Sequence, residues 1–157
     1  TGTDSDTDSL STFKPASLGS SRPDITSGGS LNVGVHYLIA RDGSVWSLLP
    51  ETDMGRHAIG YNHTAIGIEM TGKSESSLTE EQLQSCAALV ADILTRNVTI
   101  SYLCGHHEYM DPSRAHLILY TELMPGYEPT VKSDPGATFM KRLRKTLVDN
   151  YSITLKD

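Results

Sequence analysis

The chain has 157 residues, 38% of them hydrophobic, a size that fits one ordinary globular domain able to bury a real core. Thirteen Lys and Arg against nineteen Asp and Glu leave a net charge of −6, and the basic residues are scattered rather than gathered into a stripe, which argues against a nucleic-acid partner. No apolar run approaches the roughly 20 residues of a membrane helix, and no basic-then-apolar leader opens these residues, so a chain without a transmembrane segment is expected.

Residues 1–33 are rich in Ser, Thr, Asp and Gly and too poor in apolar residues to pack alone; they read as a loop-rich surface segment of the same domain, with a short helical turn near "SLSTF". The core is expected over 34–157. "VHYLIARDGSVWSLL" places two β-rich runs around Asp42-Gly43, a dipeptide favoured in tight hairpin turns because both central residues can take positive φ. "TAIGIEM" (64–70) predicts a third strand whose only charge is Glu69.

In "SLTEEQLQSCAALVADILTRN", Thr79 and Gln82 form a capping box, Leu78 and Leu83 are spaced as a hydrophobic staple, and positions 83, 86, 87, 90, 93 and 94 keep the helical period. "TISYLC" (99–104) then predicts a fourth strand, and the strand, helix, strand order predicts a parallel pairing with the helix on the sheet. After a loop-rich stretch, "GATFMKRLRKTLVDN" predicts a closing helix with Phe139, Met140, Leu143 and Leu147 on one face. The expected fold is α/β, a mixed central sheet flanked by helices. Cys86 and Cys104 fall in apolar segments and read as small core residues; their spacing neither requires nor forbids a disulfide.

"GHHEY" (105–109) puts His106 and His107 at a predicted strand end, where open α/β sheets place their ligands. On an extended segment, neighbouring side chains point in opposite directions, so one of the two is expected to face a site. The plain alternative is one packed histidine and one solvated. "KSDPG" (132–136) sets Asp134 in a proline-fixed turn with Lys132 two residues before it; by itself Asp-Pro is a turn initiator, but a strand-end histidine and a carboxylate in a rigid turn are suitable zinc ligands. Glu69, the lone ionisable group of an apolar strand, is either solvent-facing or functional.

"HYLIARDGSVWSLLPE", "RHAIGYNHTAIGIEMTG", "LTEEQLQSCAALVADIL", "GHHEY" and "KSDPG", in this order, resemble the zinc-dependent N-acetylmuramoyl-L-alanine amidases of the type 2 amidase and peptidoglycan recognition protein family. The resemblance runs from about residue 34 to the last helix. It implies zinc as cofactor, His106 and Asp134 as ligands, Glu69 to orient or deprotonate the zinc-bound water, and Lys132 to stabilise the developing oxyanion. His57, Asn62 and His107 are implied in lining the substrate groove. The implied activity is hydrolysis of the amide joining N-acetylmuramic acid to L-alanine in peptidoglycan or muropeptides. The cell envelope, periplasmic or secreted, is the favoured location, with the cytoplasm left open.

Two departures stand out. The family's first zinc ligand, a histidine ending its first strand, has no match here, and His36, His63, His107 and His116 do not occupy its place. A catalytic zinc normally has three protein ligands. Three explanations remain open: a longer protein with the ligand before Thr1, a substitute histidine, or a peptidoglycan-binding module with an incomplete metal site. The interval from His106 to Asp134 is also long for the family, so residues 108–131 read as an insertion that packs as a loop core or walls one end of the cleft.

Overall fold

In the computed structural model, which describes residues 2–19 and 22–157, β1 (Tyr37–Ile39) and β2 (Val45–Ser47) pair antiparallel with Tyr37 opposite Ser47. The turn differs from the expected one: of the two central residues only Gly43 has positive φ, at 86°. Gly43 N–H donates to Ala40 O, and Ala40 N–H donates to Ser44 O, which makes a three-residue loop with glycine at its left-handed position. Asp42 contributes through its carboxylate, which accepts the Ser44 amide.

β3 (Ile68–Met70) lies parallel to β1, giving the order β2-β1-β3. It is shorter than the predicted strand because Thr64 and Ala65 both donate to Tyr61 O, which folds the preceding residues into turns. The predicted fourth strand is absent. Residues 99–104 make one isolated parallel bridge, Tyr102 to Lys156, with Leu103 N–H donating to Lys156 O. A strand needs a continuous ladder, and among the described residues this segment pairs with the C-terminal tail through that single bridge. The parallel pairing of the fold therefore joins β1 to β3 and does not involve 99–104.

α2 (Glu80–Arg96) begins with the predicted capping box, Thr79 Oγ1 accepting from Gln82 N–H and Gln82 Oε1 accepting from Thr79 N–H. Gln82 is also fully buried, and its Nε2 donates to Ile39 O and Thr71 O, so one side chain stitches the helix start to β1 and to the end of β3. Leu83, Cys86, Ala87, Val90 and Ile93 face α3 (Ala137–Tyr151), whose Phe139, Met140, Leu143 and Leu147 are the predicted buried face. Cys86 lies inside this core, whereas Cys104 is exposed, contrary to its expected burial, and neither is in a disulfide.

The first 33 residues hold more structure than a single turn. α1 (Asp6–Phe13) is capped by Ser5, and Asp6 accepts the Arg41 amide. A 3-10 helix follows at Pro23–Gly28, whose Ile25 enters a second core with Ile59, Tyr61, Tyr109 and Tyr127. The insertion is thus packed: Thr121 N–H donates to Gly60 O, Glu122 accepts the Gly60 amide, and Tyr61 OH donates to Tyr109 O. Buried Arg56 joins these pieces, donating to Gly29 O, Leu31 O and Ile25 O while lying against the Tyr127 ring. Among the described residues no helix is long and apolar enough to cross a membrane.

Gln82→Ala removes the side-chain donor to Thr71 O and leaves Ile39 O with the Thr71 amide alone, in a dry interior. We expect it to lower stability by about 1–3 kcal/mol, read as a lower urea midpoint at unchanged slope.

Candidate active site

"GHHEY" folds as a 3-10 turn, His106–Glu108, rather than as an extended segment. Both rings consequently meet Asp134 instead of pointing to opposite sides, although only His106 of the two lines the cavity, as expected of one of the pair. His106 Nδ1 lies 3.2 Å from Asp134 Oδ2, while the His107 amide donates to Asp134 O at 2.8 Å and its Nδ1 lies 3.2 Å from the same oxygen. Burial pushes the Asp134 carboxyl up, but the hydrogen bond and charge of His106 outweigh it and hold the group at about 2. The Asp134–Pro135 peptide is cis.

Beneath the turn, the Glu108 carboxylate is buried and accepts from Gly105 N–H at 2.7 Å and from Arg144 through both oxygens at 2.6 and 3.0 Å. Arg114 approaches it at 3.2 Å. Burial would raise this carboxyl; the bidentate Arg144, the Gly105 amide and the Arg114 charge bring it below its ordinary value. Arg144 also donates to Leu103 O, which ties the segment leading into the turn to α3.

His57 stands on the loop before β3. Its amide and that of Ala58 donate to Asn62 Oδ1, both at 2.8 Å, and its Nε2 donates to Ala65 O at 3.1 Å. Asn62 therefore spends its oxygen on shaping this loop. The His36 ring packs edge-on against His57 at 5.5 Å, its Nδ1 accepting from Gly67 N–H and its Nε2 donating to Asp53 O. Burial lowers the His57 pKa most, the nearby His36 and His106 add to this against the Ala65 bond, and together they bring it to about 4. His57 is thus neutral at neutral pH.

A cavity of about 810 Å³ gathers most of the predicted residues: His57, Asn62, Glu69, His106, Lys132 and Asp134 all line it. His107 does not, because its ring is turned to the Asp134 carbonyl and toward Glu108. Glu69 is half-buried in the middle of β3, opposite Leu38, rather than at an exposed strand end. Lys132 is half-buried, and its charge reaches Asp24, whose carboxyl is held low mainly by Arg22.

Imidazole and carboxylate are suitable donors for zinc, and two ligand atoms on a tetrahedral ion with bonds of about 2.0–2.1 Å lie about 3.3 Å apart. The 3.2 Å between His106 Nδ1 and Asp134 Oδ2 fits that spacing. Among the described residues no cluster of three or more His, Cys, Asp and Glu side chains forms, so the pair supplies two donors of a site. His36 is buried and bonded through both ring nitrogens; His116, also buried, lines the same cavity and is bonded through Nε2 to Glu108 O, but it forms no three-residue cluster with the pair. Glu108 and Arg144 were missed in the sequence. The signal available was a charged residue in a turn flanked by apolar runs, but nothing local indicates its partner.

Because folding depresses the His57 pKa from 6.5 to about 4, the unfolded chain binds the proton more tightly, so stability is full above about 6.5 and falls as the pH drops toward 4. His57→Gln, which keeps a donor for Ala65 O, is expected to lose less stability than the parent between pH 7 and pH 5. Urea midpoints at the two pH values measure the difference.

Residues 1–137 match the family model described as N-acetylmuramoyl-L-alanine amidase. The chain is 38% identical over 86 residues to the endolysin of Escherichia phage T7, covering 51% of this chain and 56% of that protein. It is 31% identical over 83 residues to peptidoglycan-recognition protein SC2 of Drosophila melanogaster, covering 51% and 45%. The chain thus spans about half the length of the curated relatives it matches. Among solved structures, a selenomethionine derivative of AmpD aligns over 73% of this chain and 60% of its own, with a TM-score of 0.50 and 27% identity. With the family match covering most of its length, the chain belongs to the N-acetylmuramoyl-L-alanine amidase family.

Proposed function

We propose that this domain is a zinc-dependent hydrolase that cleaves the amide between N-acetylmuramic acid and L-alanine in peptidoglycan or muropeptides. The observation that carries this is the His106–Asp134 pair, 3.2 Å apart, in a cavity that Glu69 and Lys132 also line. Family membership and relatives named as an endolysin and a peptidoglycan-recognition protein support the substrate class.

His106 and Asp134 would hold the metal as two of its protein ligands. Zinc, when bound, supplies a Lewis acid that polarises the amide carbonyl and lowers the pKa of water. Glu69, fixed on a strand, takes a proton from the attacking water and returns it to the leaving nitrogen. The Lys132 ammonium stabilises the negative charge that develops on the carbonyl oxygen. Neutral His57 and Asn62 form a groove wall that orients the glycopeptide. An envelope location, periplasmic or secreted, gives this chemistry direct access to the wall.

A second reading is favoured by the two-donor count: a module that binds peptidoglycan in the same groove without cleaving it. Incubating the protein with purified cell wall separates the two. The amidase predicts peptide released from glycan, stopped by a chelator and restored by zinc. Glu69→Gln should lower kcat by about 10²–10⁴, and Lys132→Met by about 10²–10³. Wall binding with no release at any zinc concentration rejects the enzyme in favour of the module.

A further inference from the structure

We propose that Glu75 is a positioning residue for Asp134, bracing the turn that presents this carboxylate to His106; the functional weight of this rests on the pair being the metal site. α3 begins at Ala137, directly after the Asp134-Pro135-Gly136 turn, with Gly136 as an N-cap that has no side chain to offer and with no acidic residue in the first turn. Its free amides need an acceptor from elsewhere. Glu75 provides it: Oε1 accepts the Phe139 amide at 2.5 Å, across 64 residues of chain. A carboxylate there also faces the positive end of the helix dipole.

The same carboxylate fills the space beside the turn. A Cβ on Gly136 would lie 2.3 Å from Glu75 Cδ and 2.6 and 2.7 Å from its two oxygens, and Gly136 has φ at 102°, where side chains are strained. The Asp134 turn is therefore gripped from two sides, by Glu75 at its exit and by the His107 amide on the Asp134 carbonyl.

Glu75 is itself fixed. It opens a 3-10 turn, Glu75–Ser77, whose Ser77 hydroxyl accepts from the amides of Lys73 and Ser74. This turn follows β3 closely, so the brace sets the Asp134 turn relative to the strand that carries Glu69. A carboxylate that handles protons and one that holds metal are thereby kept in register through one side chain.

The test compares Glu75→Ala and Glu75→Gln with Thr79→Ala, which removes the α2 cap and lowers general stability away from the turn. In metal-free protein, Glu75→Ala should speed exchange of the His107 amide by about tenfold and Glu75→Gln by less, whereas Thr79→Ala should leave it at the parent rate once scaled for stability. Zinc affinity, read by competition with a chromogenic chelator, should fall about 10- to 100-fold in Glu75→Ala, as is usual when a group orienting a ligand is lost. Parent-like His107 exchange in Glu75→Ala, or parent-like zinc affinity, overturns the assignment, as does an equal effect in Thr79→Ala. If the parent itself binds no zinc, the proposed function fails, while His107 exchange still decides the role of Glu75.

Discussion

The site depends on one buried carboxylate. Glu108 lies beneath the two histidines and is met by Arg144 from α3, Arg114 from the insertion and the Gly105 amide from its own turn. Placing a lone carboxylate in this interior would cost several kcal/mol, so the charge persists only while these partners converge on it. That requirement works in reverse as a constraint on the backbone. The turn can carry His106 to Asp134 only in the arrangement that also satisfies Glu108, and Arg114 extends the network to Asp157 at the other end of the chain.

The molecule is built around two cores with different origins. The larger one, between the sheet, α2 and α3, comes from amphipathic periodicity and fixes Glu69 on a strand. The smaller one is aromatic and collects residues from the N-terminal segment, the His57 loop and the insertion. Arg56 serves it as a buried cation whose guanidinium donates to three backbone carbonyls. His106 and Asp134 sit between them, so the cavity has one wall set by regular elements and another set by packed loops.

How much of this was legible follows from the range of the interactions. α2 was readable to its cap because Thr79 and Gln82 are three residues apart, and the closing helix because its buried face repeats along one segment. The His106–Asp134 pair was legible only through ordered motifs, since 28 positions separate the partners. Glu108 with Arg144, at 36 positions, and Glu75 with Phe139, at 64, carry no local signature at all. "TISYLC" was misread for a related reason: its residues favour a strand, but strand formation is decided by a neighbouring ladder that composition does not reveal.

A site assembled this way distributes its precision unequally. Glu69 inherits its position from hydrogen bonds with β1, which a side-chain substitution leaves intact. Asp134 stands on a turn outside regular structure, at the start of a helix whose own sequence offers no cap, so its position comes entirely from groups brought in from elsewhere. The 810 Å³ cavity between them has to accept a glycopeptide without losing the 3.2 Å contact of the donor pair. Long-range charged braces meet that demand from two directions: Glu108 and Arg144 fix the histidine turn from beneath, and Glu75, itself part of the cavity lining, grips the start of the helix that follows Asp134.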